Sequence, residues 1–169
     1  MGYHALHEFS RSGSAVSSEA DAVRRATATV AIAAERSQAL FGRKALAVEQ
    51  LLALESECAE EGWDGHDAVP INPLAVLKAQ RFLRALPDRM PLPEFAAEPD
   101  GSISLDWMPS RHRLFSVSIG PGDRLAFAWL DGTDSGHGVA FFDGQTVPQP
   151  VLVGIELTIG SAHAGLRAA

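Results

Sequence analysis

An α+β fold is expected for this chain, and three observations lead to it. The C-terminal half alternates apolar and polar residues with the period of two that a half-buried strand requires. The N-terminal half repeats its apolar residues every three or four positions, the spacing of one helix face. Between the two lies a stretch stiffened by Pro87, Pro91, Pro93 and Pro99. Together they predict a four-stranded antiparallel sheet with helices packed on one face, preceded by an Ala-rich N-terminal helix.

Residues 1–17 are rich in Ser, His and Gly, offer little to bury, and are expected as a disordered tail. A helical extension is expected over 18–43, where Ser18 and Asp21 have the spacing of a capping box. Within it Val23, Ala26, Val30, Ala33, Ser37 and Leu40 form one narrow stripe. Small side chains bury little area there but permit close helix approach. The stripe therefore suits packing on its own domain, on a second copy, or on a different protein.

The α+β domain is expected over 44–160, with a flexible tail over 161–169. A helix from Lys44 to Glu61 buries Val48, Leu51, Leu52 and Cys58, and Gly62 ends it. Asn72 and Pro73 then supply the N-cap and first-turn proline of a helix that Pro87 stops after Leu86. Its buried face carries Val76, Ala79, Leu83 and Leu86, helped by Phe82. The proline-rich segment that follows reads as an extended crossing without regular structure. After the turn at Asp100-Gly101, alternation runs through Ile103, Leu105 and Trp107, then Phe115, Val117 and Ile119, then Leu125, Phe127 and Trp129, then Val139 and Phe141. Residues 151–159 admit either helix or strand; proline near the start and the spacing of Leu152, Ile155 and Leu157 favour a helix.

This pattern puts Trp, Phe, Ile, Val and Leu on one sheet face, to be covered by the helices flanking Trp63. The other face carries Ser104, Ser116, Ser118, Ala126 and Ala128. It faces water, as antiparallel sheets allow, or receives the N-terminal helix or a partner.

Composition bounds the function. The chain has 169 residues, of which 46% are hydrophobic and 21% charged, ordinary values for a globular protein. A net charge of -7 and a pI near 5.3 argue against phosphate-rich partners and anionic membranes, which need clustered Lys and Arg. A single cysteine, Cys58, cannot form an internal disulfide, and neither a basic-then-apolar leader nor a bilayer-length apolar run is present. The cytoplasm is the expected location. Two helices around Trp63 resemble a helix-turn-helix only superficially, because the loop is too long and its surroundings are acidic.

The run Glu61-Gly62-Trp63-Asp64-Gly65, then Ala68 and Pro70 before a helix, Phe82-Leu83, Pro91 and Pro93, and Leu105-Asp106-Trp107 resembles a set of small uncharacterised bacterial proteins. They share a Trp-Asp-Gly loop, a helix, a proline-rich crossing and a strand ending in Trp. The likeness covers residues 45–158 and implies a fold, not an activity. His66-Asp67 stands where that set more usually has a pair such as Tyr-Gly, which sets aside any aromatic role at that position.

Candidate chemistry is sparse. Asp64, His66 and Asp67 crowd one loop and are of metal-ligating type, but alternation along a loop supplies no fourth ligand. Asp64 is better suited to closing its own turn by accepting backbone N–H bonds, with Trp63 plugging the core below. Residues 131–137 place oxygen-bearing side chains as a calcium loop does, yet Phe142 stands where the bidentate Glu belongs, so a long hairpin loop is expected. No nucleophile elbow or phosphate-cradling glycine loop is present.

The expectation is a non-enzymatic protein–protein interaction or regulatory module, antitoxin-like or defence-associated, that needs no cofactor. Its protein partner is itself or another chain, engaged through Val23, Ala26, Val30, Ala33 and Leu40 or through the Ser and Ala face. The rival is a small metal-dependent hydrolase built on Asp64, His66 and Asp67, joined by His112 or His137.

Overall fold

The computed structural model describes residues 42–165 together with Arg25, Thr27 and Thr29, all three helical. The chain divides into two compact units, Met1–Ala39 and Leu40–Ala169. The expected tail over 1–17 and the stripe residues Val23, Ala26, Val30, Ala33 and Leu40 lie outside the described residues. In the second unit the described residues form three helices and a five-stranded sheet: α1 over 42–57, α2 (Pro73–Ala85), β1 (Glu94–Ala97), β2 (Ile103–Ser110), β3 (Arg113–Ile119), β4 (Arg124–Asp131), β5 (Asp134–Phe141) and α3 (Gln149–Gly165). None of the described helices is long and apolar enough to cross a membrane.

Local chemistry explains the helix boundaries. Asn72 accepts the Leu74 N–H on its side chain at 2.9 Å, and Pro73 occupies the first turn, where no N–H is required. Leu86, held extended before Pro87, still donates its N–H to the Phe82 carbonyl and so closes the last turn. Lys44 reaches from α1 to this end, donating to the Leu86 carbonyl at 2.7 Å and pairing with Asp88 at 2.9 Å. A cation there meets the negative end of the helix and ties α1 to α2. α3 runs past 160 to Gly165.

The sheet is a meander in the order β1-β2-β3-β4-β5, antiparallel throughout. Four strands were expected, and the fifth is β1. Glu94–Ala97 falls inside the stretch read as an unstructured crossing. It pairs Phe95 with Leu105 and Ala97 with Ile103. Flanking prolines are tolerated because β1 is an edge strand among the described residues, none of which pairs with its outer N–H groups as a strand. A register shift between Trp107 and Ser110 accommodates Pro109 near the end of β2.

A second correction concerns residues 131–137. They are not a long loop: Asp131 pairs with Asp134 across a two-residue turn, and β5 starts there. Gly132 takes φ +65° at the first turn position, where a type II′ hairpin favours glycine. Strand geometry sends residues 134–137 alternately to opposite faces, which dissolves the resemblance to a cation loop.

Register fixes the two faces. Phe95, Leu105, Val117, Phe127 and Gly138 form one row across the sheet, and Trp107, Phe115, Trp129 and Gly136 form the next. α2 packs over β2 and β3, and α3 over β2, β3 and β4. The cover is thus shared by α3, whereas the pair flanking Trp63 was expected to supply it. Leu51, Phe82, Leu83, Leu105, Val117, Val151 and Ile155 are fully buried between these layers. Phe115 stacks with Phe127 at 5.8 Å between ring centres and meets Trp107 at 6.3 Å. Gly154 lets α3 settle directly onto the Phe115 ring.

Cys58 follows the last turn of α1, and its residue is only 6% exposed. Burial, reinforced by the neighbouring Glu57, pushes its thiol pKa up. The thiolate is the reactive form, so the native protein should react slowly with a thiol reagent at neutral pH and rapidly once unfolded. Timed alkylation with and without denaturant checks this; equal rates would place Cys58 at the surface.

Candidate functional site

The Trp-Asp-Gly loop is a structural clamp in its geometry. Asp64 Oδ1 accepts the N–H of His66 at 2.8 Å and of Ala68 at 3.4 Å. Gly62 and Gly65 adopt φ of +73° and +83°, conformations that L side chains rarely take. Trp63 packs on the core and donates its indole N–H to the Val69 carbonyl at 3.0 Å. Val69 and Asn72 donate in turn to the carbonyls of Pro99 and Gly101, both at 2.9 Å. Gly101, at φ +83°, leaves no room for a Cβ, which would lie 2.8 Å from the Pro70 carbonyl oxygen. The loop is thereby sewn to the β1–β2 turn.

Asp64, His66 and Asp67 are all exposed. His112 sits at the far end of β2, roughly 25 Å along the strand from that turn at about 3.4 Å per residue. His137 lies on β5, the opposite sheet edge. Among the described residues no group of three or more His, Cys, Asp or Glu is placed to hold a metal ion. Asp64→Ala should cost about 1 kcal/mol by leaving two backbone N–H groups without their acceptor. Urea unfolding reads this; an unchanged midpoint would mean that water serves those groups equally well.

The sheet face turned away from α2 and α3 carries the expected Ser104, Ser116, Ser118, Ala126 and Ala128. It divides into two halves. On β1 to β3, Ser104 donates to Asp106 at 2.7 Å and lies 2.9 Å from the Ser116 hydroxyl, while Ser118 donates to Glu98 at 2.6 Å. A hydroxyl has one proton, and that of Ser104 is given to Asp106, so Ser116 must donate to Ser104. All three serine protons are therefore spent inside the network. What remains for a visitor is carboxylate oxygen: this half is rich in acceptors and negatively charged.

On β4 and β5 the same face is mostly apolar, with His137 opposite Ala128 and Arg124 opposite Phe141. Ala126 and Ala128 are exposed, and Val139 and Phe141 are 62% and 67% exposed. Sequence alternation alone put Val139 and Phe141 in the bulky-face series; pairing with Ala126 and Arg124 puts them on the open side. Register across the tight hairpin, not composition, decides this.

A separate hollow of about 300 Å³ opens beside α3 on the covered face. Phe115, Phe127, Trp129, Val153, Gly154 and Leu157 line it. Arg113 closes one end, held to Asp131 by two hydrogen bonds of 2.8 and 3.0 Å. Two glycines inside one strand, Gly136 and Gly138 of β5, are the trace that this packing leaves in the sequence, and the alternation pattern passes over them. The Trp129 and Phe127 rings lie over them, so a Cβ at Gly136 would sit 2.7 Å from the indole and one at Gly138 2.5 Å from the phenyl ring. Comparison of the chain with protein-family models, with curated proteins and with solved structures finds no match in any of the three.

Proposed function

We propose that this protein is a non-enzymatic protein–protein interaction or regulatory module working in the cytoplasm, and that the open sheet face is its working surface. The observation that carries the reading is the pairing of two unlike halves on one flat face. Ala126, Ala128, Val139 and Phe141 offer apolar surface that a solitary protein gains nothing by exposing. Beside them, Glu98 and Asp106 with their serine donors offer acceptors that fix orientation. Apolar contact supplies affinity and charge supplies register and selectivity. The net charge of -7 favours a protein partner over nucleic acid or an anionic membrane.

The test is capture of binding proteins from the native host by the full chain and by the double variant Ala126→Arg/Ala128→Arg. Both positions are exposed on the open side of β4, so the variant should fold with an unchanged far-UV spectrum and melting temperature. The wild type is expected to retain a protein that the variant loses. Identical retention by both would remove this face from the function.

A further inference from the structure

We propose that the hollow beside α3 binds a small uncharged molecule with a flat apolar body and a carbonyl oxygen at one end. The site lies on the covered side of the sheet and is independent of the open-face reading above. Its volume of about 300 Å³ stands at the lower end of the range for ligand pockets. An apolar cavity of ~150 Å³ already takes benzene, so this one has room for a ring with a short substituent.

The hollow exists because its neighbours bring no side chain to fill it. α3 packs on β2, β3 and β4, and beyond Asp134 only Gly136, Gly138 and Ala140 of β5 stand on that side. Gly154 likewise brings nothing from the helix. Phe127, Trp129, Val153 and Leu157 are left as walls. Trp129 and Val153 are each 39% exposed and Leu157 is 65% exposed. An apolar occupant takes this surface out of water, which is favourable.

The polar end specifies the rest. Thr158 follows Gly154 by one turn on the same helix face, which directs it at the sheet. It is only 7% exposed, and its hydroxyl makes no hydrogen bond to the described residues. Among those residues no side-chain N or O is both sealed from solvent and unpartnered, so the hydroxyl meets solvent through the hollow it lines. Arg113 closes the same end, its side chain 17% exposed. Nε and Nη2 donate to Asp131, and Nη2 also lies 3.5 Å from the Leu157 carbonyl. The two N–H groups on Nη1 remain for an acceptor. A ligand carbonyl accepts from Nη1 and from the Thr158 hydroxyl together.

Charge selects a neutral occupant. At this end of the sheet Arg111 and Arg113 stand against Asp131 and Asp134, two of each sign. Arg111 turns its Nε to His112, and Glu156 of α3 is paired with Arg89. Arg113 is already engaged by a carboxylate, so an anionic head would lose its water without gaining a free cation.

The probes are N-methylbenzamide, benzoate and toluene, which share one ring and differ in the head. Each is titrated into the full chain while NMR follows the Trp129 indole N–H, the Gly154 amide and the Arg113 guanidinium. The amide is expected to shift all three and to bind about tenfold more tightly than either of the others. Thr158→Val keeps the shape and removes the hydroxyl. It should weaken the amide about fivefold, leave toluene unchanged and preserve the melting temperature. Arg113→Lys keeps the charge but loses Nη1, and should weaken the amide in the same way. Silence of the three resonances, benzoate or toluene binding as tightly as the amide, or indifference of the amide to either variant overturns the proposal. So does an equal loss of toluene in Thr158→Val. None of these probes reports on Ala126 or Ala128, so partner capture by the open face stands or falls separately.

Discussion

Phe82→Ala should lower the unfolding free energy by about 3–5 kcal/mol, the range for truncating a fully buried aromatic. Phe82 is 0% exposed and joins three parts of the fold. It projects from α2, meets Trp107 of β2 at 6.5 Å between ring centres and takes the edge of Phe142, after β5, at 5.6 Å. Each contact belongs to a different element, so no single side chain can move in to refill the space. The loss combines lost transfer energy with an unfilled cavity, and single domains have only about 5–15 kcal/mol in all. A fall in melting temperature of roughly 10 °C or more follows for a chain of this size. Denaturant titration measures it, and Phe82→Leu, which keeps most of the volume, should cost far less. A loss under about 1 kcal/mol for the alanine variant would show that the site collapses freely, contrary to the packing described.

Gly154→Ala should also destabilise, although alanine is the better helix former by about 1 kcal/mol. A Cβ at Gly154 would lie 2.0 Å from Cε2 of Phe115. A ring tip can often swing aside, but this ring is buried and flanked by Trp107 and Phe127 at 6.3 and 5.8 Å. Either α3 lifts off the sheet or the aromatic row shifts, and overpacking of this kind costs about 1–3 kcal/mol and occasionally more. Steric cost exceeds the propensity gain, so a net loss near 2 kcal/mol is expected. The size of the effect is diagnostic, since an exposed helical glycine changed to alanine stabilises. A melting temperature that rises in Gly154→Ala would mean that α3 does not touch Phe115.

Much of this arrangement is legible in the residues because local chemistry and tertiary need agree. Asn72-Pro73 and Leu86-Pro87 mark the ends of α2 whatever packs on it. Ile103, Leu105 and Trp107 alternate with polar neighbours because one face of β2 is covered and the other is not. β1 escaped notice for an equally local reason. It is four residues long, bracketed by Pro93 and Pro99, and its Phe95-Ala96-Ala97 offers too little alternation to signal a strand. α3 was ambiguous because Val151, Val153, Ile155 and Leu157 are apolar on its outer side as well as its inner one. Periodicity cannot choose between helix and strand in such a segment. The packing role of Gly154 belongs to the tertiary structure and leaves only a faint trace in the sequence.

The functional surface was legible in part. Ser104, Ser116, Ser118, Ala126 and Ala128 fall on one face by alternation alone. The hydrogen-bonded network among the serines and acids depends on which residues become neighbours, and only register settles that. Register also carries Val139 and Phe141 to the open side. Glycines inside a strand, as at Gly136 and Gly138, generally indicate close approach by another group. Here the group is the Trp129 and Phe127 rings, and the consequence is an edge strand with no bulky side chain of its own over the covered side.

One NOESY spectrum of the full chain tests the division into a covered and an open face most directly. The account predicts strong cross-peaks between the Gly154 α-protons and the Phe115 ring, with no cross-peak joining the Ala126 or Ala128 methyl to any proton of α2 or α3. Cross-peaks from those alanine methyls to α3, with none from Gly154 to Phe115, would contradict it.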